Sequence, residues 1–189
     1  LLIHGGTLYD GSGGEPYQGE VGIIGDTIVA VGNLAAGVDH AVVHAERIVD
    51  AEGLAVAPGF INMLSWATES LIEDGRSQSD IRQGVTLEVM GEGWSMGPWN
   101  AEMKEDELDS QGDIEYPIEW TTLGEYLQYL EDRGSSTNVA SFVGATTVRI
   151  HEVGYEDRPA TAEELGRMRE LVDRAMREGA LGVGSSLIY

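Results

Sequence analysis

No cysteine occurs in the 189 residues, which excludes disulfides, thiolate nucleophiles and cysteine-ligated metals in one step. Any metal must be held by carboxylate, imidazole or a modified side chain. Lysine is nearly missing as well: Lys104 is the only one among eleven cationic side chains, set against 33 acids, for a formal charge of -22. A surface of that sign repels nucleic acid, so a nucleic-acid partner is excluded. No apolar run approaches the ~18 residues that a membrane helix needs, so no membrane partner is expected. A first residue of Leu1 leaves the start of the natural chain open, so the N-terminus does not decide targeting, and the cytoplasm is the default expectation. An acidic, lysine-poor surface suits a protein kept hydrated in high salt, where screening removes self-repulsion. An acidic protein from low salt has the same composition.

What is present is ample apolar material, 42% of the residues, enough for one large domain or two small ones. Residues 1–56 read as a small all-β domain, a β-sandwich segment. Short β-branched runs at Leu1–Ile3, Gly19–Ile24, Asp26–Val31 and Ala41–Asp50 are separated by glycine, and Ile24-Gly25-Asp26-Thr27 forms a hairpin turn. From residue 57 to 189 strands alternate with helices, the mark of parallel βαβ units. The strands are Leu54–Asn62, Val85–Met90, Asn138–Gly144 and Leu181–Leu187. A short helix runs from near Ser77 or Ser79 to Gly84. Capping-box spacings at Thr122/Glu125 and Thr161/Glu164 start helices over 123–132 and up to Gly179, the second with Leu165, Met168, Leu171, Val172, Ala175 and Met176 on one face. Residues 100–120, rich in Glu and Asp without an apolar period, read as an exposed acidic excursion.

A (β/α)8 barrel takes roughly 250 residues, so residues 57–189 supply about four of its eight units. The fold class expected is α/β, an incomplete TIM-type barrel belonging to a longer protein, because half a barrel leaves open edges. A flavodoxin-like open sheet is the alternative.

In a parallel barrel reactive groups follow the strands. Glu92, flanked by Gly91 and Gly93 directly after the second strand, is the first candidate, a carboxylate able to reach inward to a divalent cation. An exposed turn glutamate is the plain alternative. Glu88, within the strand, reads as outward or paired, and His151 beside Glu152 as a base, a ligand or a surface loop group. His40 and His44 fall on one strand face some 13 Å apart by the ~3.3 Å rise, too far to share a metal. His4 reads as structural, and Ser185-Ser186 lacks a nucleophile-elbow frame.

Several segments together resemble the D-aminoacylase (N-acyl-D-amino-acid deacylase) branch of the amidohydrolase superfamily, in its N-terminal portion. They are Leu2-Ile3-His4-Gly5-Gly6 through Asp10-Gly11, Val56–Ile61 (VAPGFI), Gln83-Gly84-Val85-Thr86, Asp157-Arg158-Pro159-Ala160-Thr161, and Gly179-Ala180-Leu181-Gly182 with Leu187-Ile188-Tyr189. The resemblance implies zinc or another divalent metal, a small N-acyl amino acid as substrate, and hydrolysis of its acyl amide by activated water. The departures fall in the site. Where the branch has Asp-x-His-x-His, this chain has Asn62-Met63-Leu64-Ser65-Trp66; where it has Gly-Asn-Cys-Gly, this chain has Gly91-Glu92-Gly93-Trp94. Where Val-Gly-His-Ser-Thr-x-Arg is expected, Val143, Gly144, Thr147 and Arg149 remain but Ala145 replaces His.

The resemblance therefore implies a one-metal site with Glu92 as ligand, Trp66, Trp94, Arg149 and Tyr189 as substrate contacts, and further ligands and the catalytic carboxylate beyond residue 189, in the C-terminal half; packing of the rim is the alternative for the two tryptophans. The competing reading is a non-catalytic relative that kept the fold and uses its pocket or surface for binding. A cyclic-amide hydrolase ranks third, since its bridging lysine has no counterpart other than Lys104 in the acidic stretch. Oligomeric state is not legible.

Overall fold

The computed structural model describes residues 1–34 and 45–186. It is α/β and divides into two compact units, Leu1–Pro58 and Gly59–Tyr189. His40, His44 and Tyr189 lie outside the described residues. No helix among the described residues is long and apolar enough to cross a membrane.

The first unit holds β1 (Leu2–Leu8), β2 (Tyr17–Ile24), β3 (Thr27–Gly32), β4 (Ile48–Asp50) and β5 (Ala55–Val56). Where a sandwich segment was expected, the described residues make one mixed sheet in the order β3-β2-β1-β4, with β5 also on β1. The expected hairpin is present: Ile24 pairs with Thr27, and Gly25 takes the positive φ of 60° that the turn demands. His4 Nδ1 lies 2.5 Å from Glu20 Oε1, joining β1 to β2.

The expected strand Leu54–Asn62 is divided. Ala55–Val56 pairs with β1, whereas Phe60–Asn62 (β6) pairs with Val85–Met90 (β7) in the second unit. Pro58 has no N–H to donate, so a ladder cannot run through it. In the second unit β8 (Asn138–Ser141) joins β7, and β9 (Val143–Gly144) joins β10 (Val183–Gly184), all parallel. Between β8 and β9, Phe142 N still donates to Met90 O at 2.9 Å, while Val143 N donates to Gly182 O at 3.0 Å. One stretch of chain thus hands its pairing from β7 to β10.

Six helices are described in this unit: α1 (Thr68–Glu73), α2 (Gln78–Ile81), α3 (Ala101–Ser110), α4 (Leu123–Arg133), α5 (Ala145–Val153) and α6 (Ala162–Arg177). Both expected capping boxes are complete. On α6, Met168, Leu171, Val172 and Ala175 reach the core, while Leu165 and Met176 are exposed.

Residues 100–120 are not an exposed excursion. Asn100 caps α3 by accepting from Met103 N at 2.9 Å, and Met103, Tyr116 and Trp120 are buried. Trp120 is the hub, with ring centroids 6.1 Å from Trp99, 5.2 Å from Tyr126 and 4.9 Å from Tyr129. The acids occupy the outer face while a few large aromatics bury the stretch, and so sparse a set of anchors gives no helical period.

Candidate functional site

The C-terminal ends of β6, β7, β8 and β10 meet around a shallow cavity of about 220 Å3, walled by Met63, Leu64, Val89, Phe142 and Val183 with Glu92 and Ser185 as its polar members. Two positions from separate motifs, Leu64 and Glu92, are brought together there. Glu92 is half-buried and makes no side-chain hydrogen bond or ion pair to another described residue.

Backbone contacts of unusual closeness hold the turn that carries Glu92. Gly91 takes φ 88°, and a Cβ there would overlap Phe142 O. A Cβ at Gly184 would overlap the carbonyl oxygens of Gly91 and Glu92. Only glycine permits both approaches. The expectation had been that glycines leave Glu92 free to reach inward; what they do is let the turn lie directly on the neighbouring strands.

The same turn caps α5. Gly144, at the N-cap, has no side chain to offer; instead Thr146 N donates to Gly93 O at 3.0 Å and Gly144 N to Ser95 Oγ at 2.9 Å. Two donors at the start of the helix are satisfied from another element. Ala145–Arg149, which the sequence reading placed in no helix, therefore begins one. Its β-branched residues hide this, because the cap comes from residues about fifty positions earlier.

Glu88 lies in β7, fully buried, with Oε2 accepting from Asn62 Nδ2 at 3.0 Å. Its Oε1 has no partner among the described residues. It shares a strand face with Met90, whose Sδ lies 3.9 Å from the Tyr126 hydroxyl on α4. Glu88 does not line the cavity.

Of the other expected site residues, Trp66 stands 59% exposed after β6. Trp94 packs with its ring centroid 6.0 Å from Trp99. Arg149 lies on α5 and donates to three backbone carbonyls, Gly154 O at 3.1 Å, Glu156 O at 2.7 Å and Arg158 O at 2.8 Å. None of the three lines the cavity. His151 is helical, not in a loop, with Nδ1 2.9 Å from Glu152 Oε1. Among the described residues no three His, Asp or Glu side chains converge on a point that would hold a metal. The residues present thus fit one ligand of such a site, not a whole one.

No family model matches the chain. An N-acyl-D-aspartate deacylase from Alcaligenes xylosoxydans xylosoxydans is 34% identical over 192 residues, which is all of this chain and 37% of the relative. A D-aminoacylase from the same organism is 34% identical over 193 residues, 38% of its length. In structure, a D-aminoacylase that defines a subset of amidohydrolases superposes with a TM-score of 0.81 at 30% identity, covering the whole chain and 38% of the neighbour. Over its whole length the chain is homologous to the D-aminoacylase branch of the amidohydrolases.

Within that branch, an N-acyl-D-glutamate deacylase from Bordetella bronchiseptica, complexed with zinc and a phosphonate mimic of the tetrahedral intermediate, superposes with a TM-score of 0.79 at 25% identity over all of this chain and 38% of its own. A D-aminoacylase with a binuclear metal centre, described by one-metal activation and second-metal attenuation, matches at 0.81 and 30% over the same extent. The chain spans a little over a third of the length of these relatives.

Sequence reasoning missed Ser95 and Thr147, which hold the Glu92 turn. The one local clue is a lone hydroxyl in the otherwise apolar Trp94-Ser95-Met96-Gly97-Pro98.

Proposed function

We propose that the protein is a metal-dependent amidohydrolase cleaving the acyl amide of an N-acyl amino acid, with this chain supplying the first half of a (β/α)8 barrel and one oxygen ligand, Glu92. The observation that carries the proposal is the placement of Glu92: a carboxylate without a partner among the described residues, on a cavity at the C-terminal strand ends. The strand succession supports the barrel, because β6, β7, β8/β9 and β10 are parallel neighbours in chain order. A flavodoxin-like sheet would place its first strand between the second and third.

The proposed site takes one divalent ion, zinc or an equivalent. Leu64 and Trp66, at the positions of the branch's histidine pair, offer no donor for a second. One-metal activation in the binuclear D-aminoacylase supports that count. The remaining ligands and the catalytic carboxylate are assigned to the C-terminal half. Such an ion, when bound, polarises the acyl carbonyl and activates water.

The chain's own residues bind and orient. Met63, Leu64, Phe142 and Val183 present an apolar wall that suits an apolar acyl group and excludes water, and exposed Trp66, two residues after Leu64, is proposed to add to it. The partners of Trp94 and Arg149 favour structural roles. The acidic surface is proposed to be hydrated in high salt, and a melting temperature that falls on adding molar KCl would count against this.

The test is metal content with turnover of N-acyl-D-amino acids. Close to one equivalent of zinc, with at least tenfold weaker binding and about a hundredfold loss of turnover in Glu92→Gln, is expected. Less than about a tenth of an equivalent, unchanged by Glu92→Gln, sinks the hydrolase reading and leaves a binding protein. Residues 1–189 alone are expected to give no turnover.

A further inference from the structure

We propose that Ser95 and Thr147 are positioning residues that set the Glu92 carboxylate. The proposal rests on the reading of Glu92 as a metal ligand. Both hydroxyls are buried, with residue exposures of 2% and 0%, and they answer each other. Ser95 N donates to Thr147 Oγ1 at 2.7 Å, and Thr147 Oγ1 points back to Ser95 O at 3.4 Å. Ser95 Oγ donates to Gly97 O at 2.6 Å while accepting from Gly144 N at 2.9 Å. Ser95 O also accepts from Trp99 Nε1 at 3.0 Å, tying the pair to the aromatic core.

Every polar group of Ser95 is therefore engaged away from water, and its backbone is fixed on both sides. Two residues earlier, Gly93 O accepts from Thr146 N at 3.0 Å. Glu92 sits between these ties and the close contact of Gly91 and Gly184, so its Cα has no independent freedom. A ligand whose side chain has no hydrogen-bond partner of its own depends on such a frame for its geometry. Thr147 is the critical member because a threonine oxygen accepts from a buried amide, whereas the isosteric valine leaves that amide without a partner.

Thr147→Val, Thr147→Ser and Ser95→Ala separate the frame from the ligand through two readouts, native-state amide exchange and zinc affinity measured with zinc alone. In Thr147→Val, exchange at Ser95, Gly144 and Thr146 should accelerate at least tenfold with Leu171 and Val172 on α6 unchanged, and zinc should bind at least tenfold more weakly. Ser95→Ala should act in the same direction, and Thr147→Ser should restore both readouts, which a packing role for the methyl group would not. Unchanged exchange in Thr147→Val, or failure of Thr147→Ser to restore it, overturns the proposal and leaves the metal reading standing. Zinc binding indifferent to Glu92→Gln overturns the metal reading and the proposal with it, even with the exchange response intact.

Discussion

Two turns that follow adjacent parallel strands contrast sharply. After β7, Gly91–Ser95 is pressed against β9 and β10, hydrogen-bonded to the start of α5 and almost wholly buried around Glu92. After β6, Met63, Leu64 and Trp66 are 60%, 53% and 59% exposed, although Ser65 N is anchored on Val89 O at 2.8 Å. The turn whose backbone is over-determined is the one that carries the proposed ligand, Glu92, and the other turn shows apolar side chains instead. The difference teaches that tertiary ties fix one turn and leave the side chains of the other to solvent.

The most damaging way to break that contrast is to add one methyl group. Gly184→Ala places a Cβ against the carbonyls of Gly91 and Glu92, and Gly91→Ala meets Phe142 O while also holding a positive φ. Backbone atoms cannot swing aside as side chains do, so a loss of about 3 kcal/mol or more is expected from either, at the upper end for overpacking. Urea unfolding followed by tryptophan fluorescence measures it. A change under about 1 kcal/mol would show that the turn is not pinned.

Ser95→Ala comes next. It removes the acceptor for Gly144 N and the donor to Gly97 O without adding bulk. Leaving a buried donor unsatisfied costs about 1–3 kcal/mol, again read by urea unfolding. In metal-free protein Glu92→Gln should instead leave stability within about 0.5 kcal/mol, because the carboxylate it changes has no partner among the described residues. That pair of results would separate the frame from the group it presents.

How much of this was legible in the sequence follows from where each signal resides. The hairpin at Gly25, the two capping boxes and the strand Val85–Met90 depend on neighbours within a few residues, and local pattern was enough to find them. Glu92 was legible by rule, as a carboxylate directly after a parallel strand. The burial of Tyr116 and Trp120 was not, because charged residues outnumber their anchors in the same stretch. Nor was α5, whose cap comes from Gly93 and Ser95, or the division of Leu54–Asn62, whose two halves pair with different sheets. The last two were decided by partners far away in the chain.

The smallest effect sharpens the comparison most. Trp66→Ser and Leu64→Ser change exposed side chains on the turn after β6, so each should alter stability by no more than about 0.5 kcal/mol. Replacing either member of the Ser95–Thr147 pair should cost several times that. If the apolar wall serves the acyl group, the same substitutions should weaken binding of a long-chain N-acyl amino acid by roughly 1–2 kcal/mol, with little change for an N-acetyl one. A calorimetric titration across an acyl series reads that slope. A flat series would mean that Leu64 and Trp66 replaced the histidines without acquiring a task of their own, leaving Glu92 to account for whatever this end of the strands does. A steep one would show that the turn which lost its ligands took up substrate selection, and that the two turns differ by division of labour.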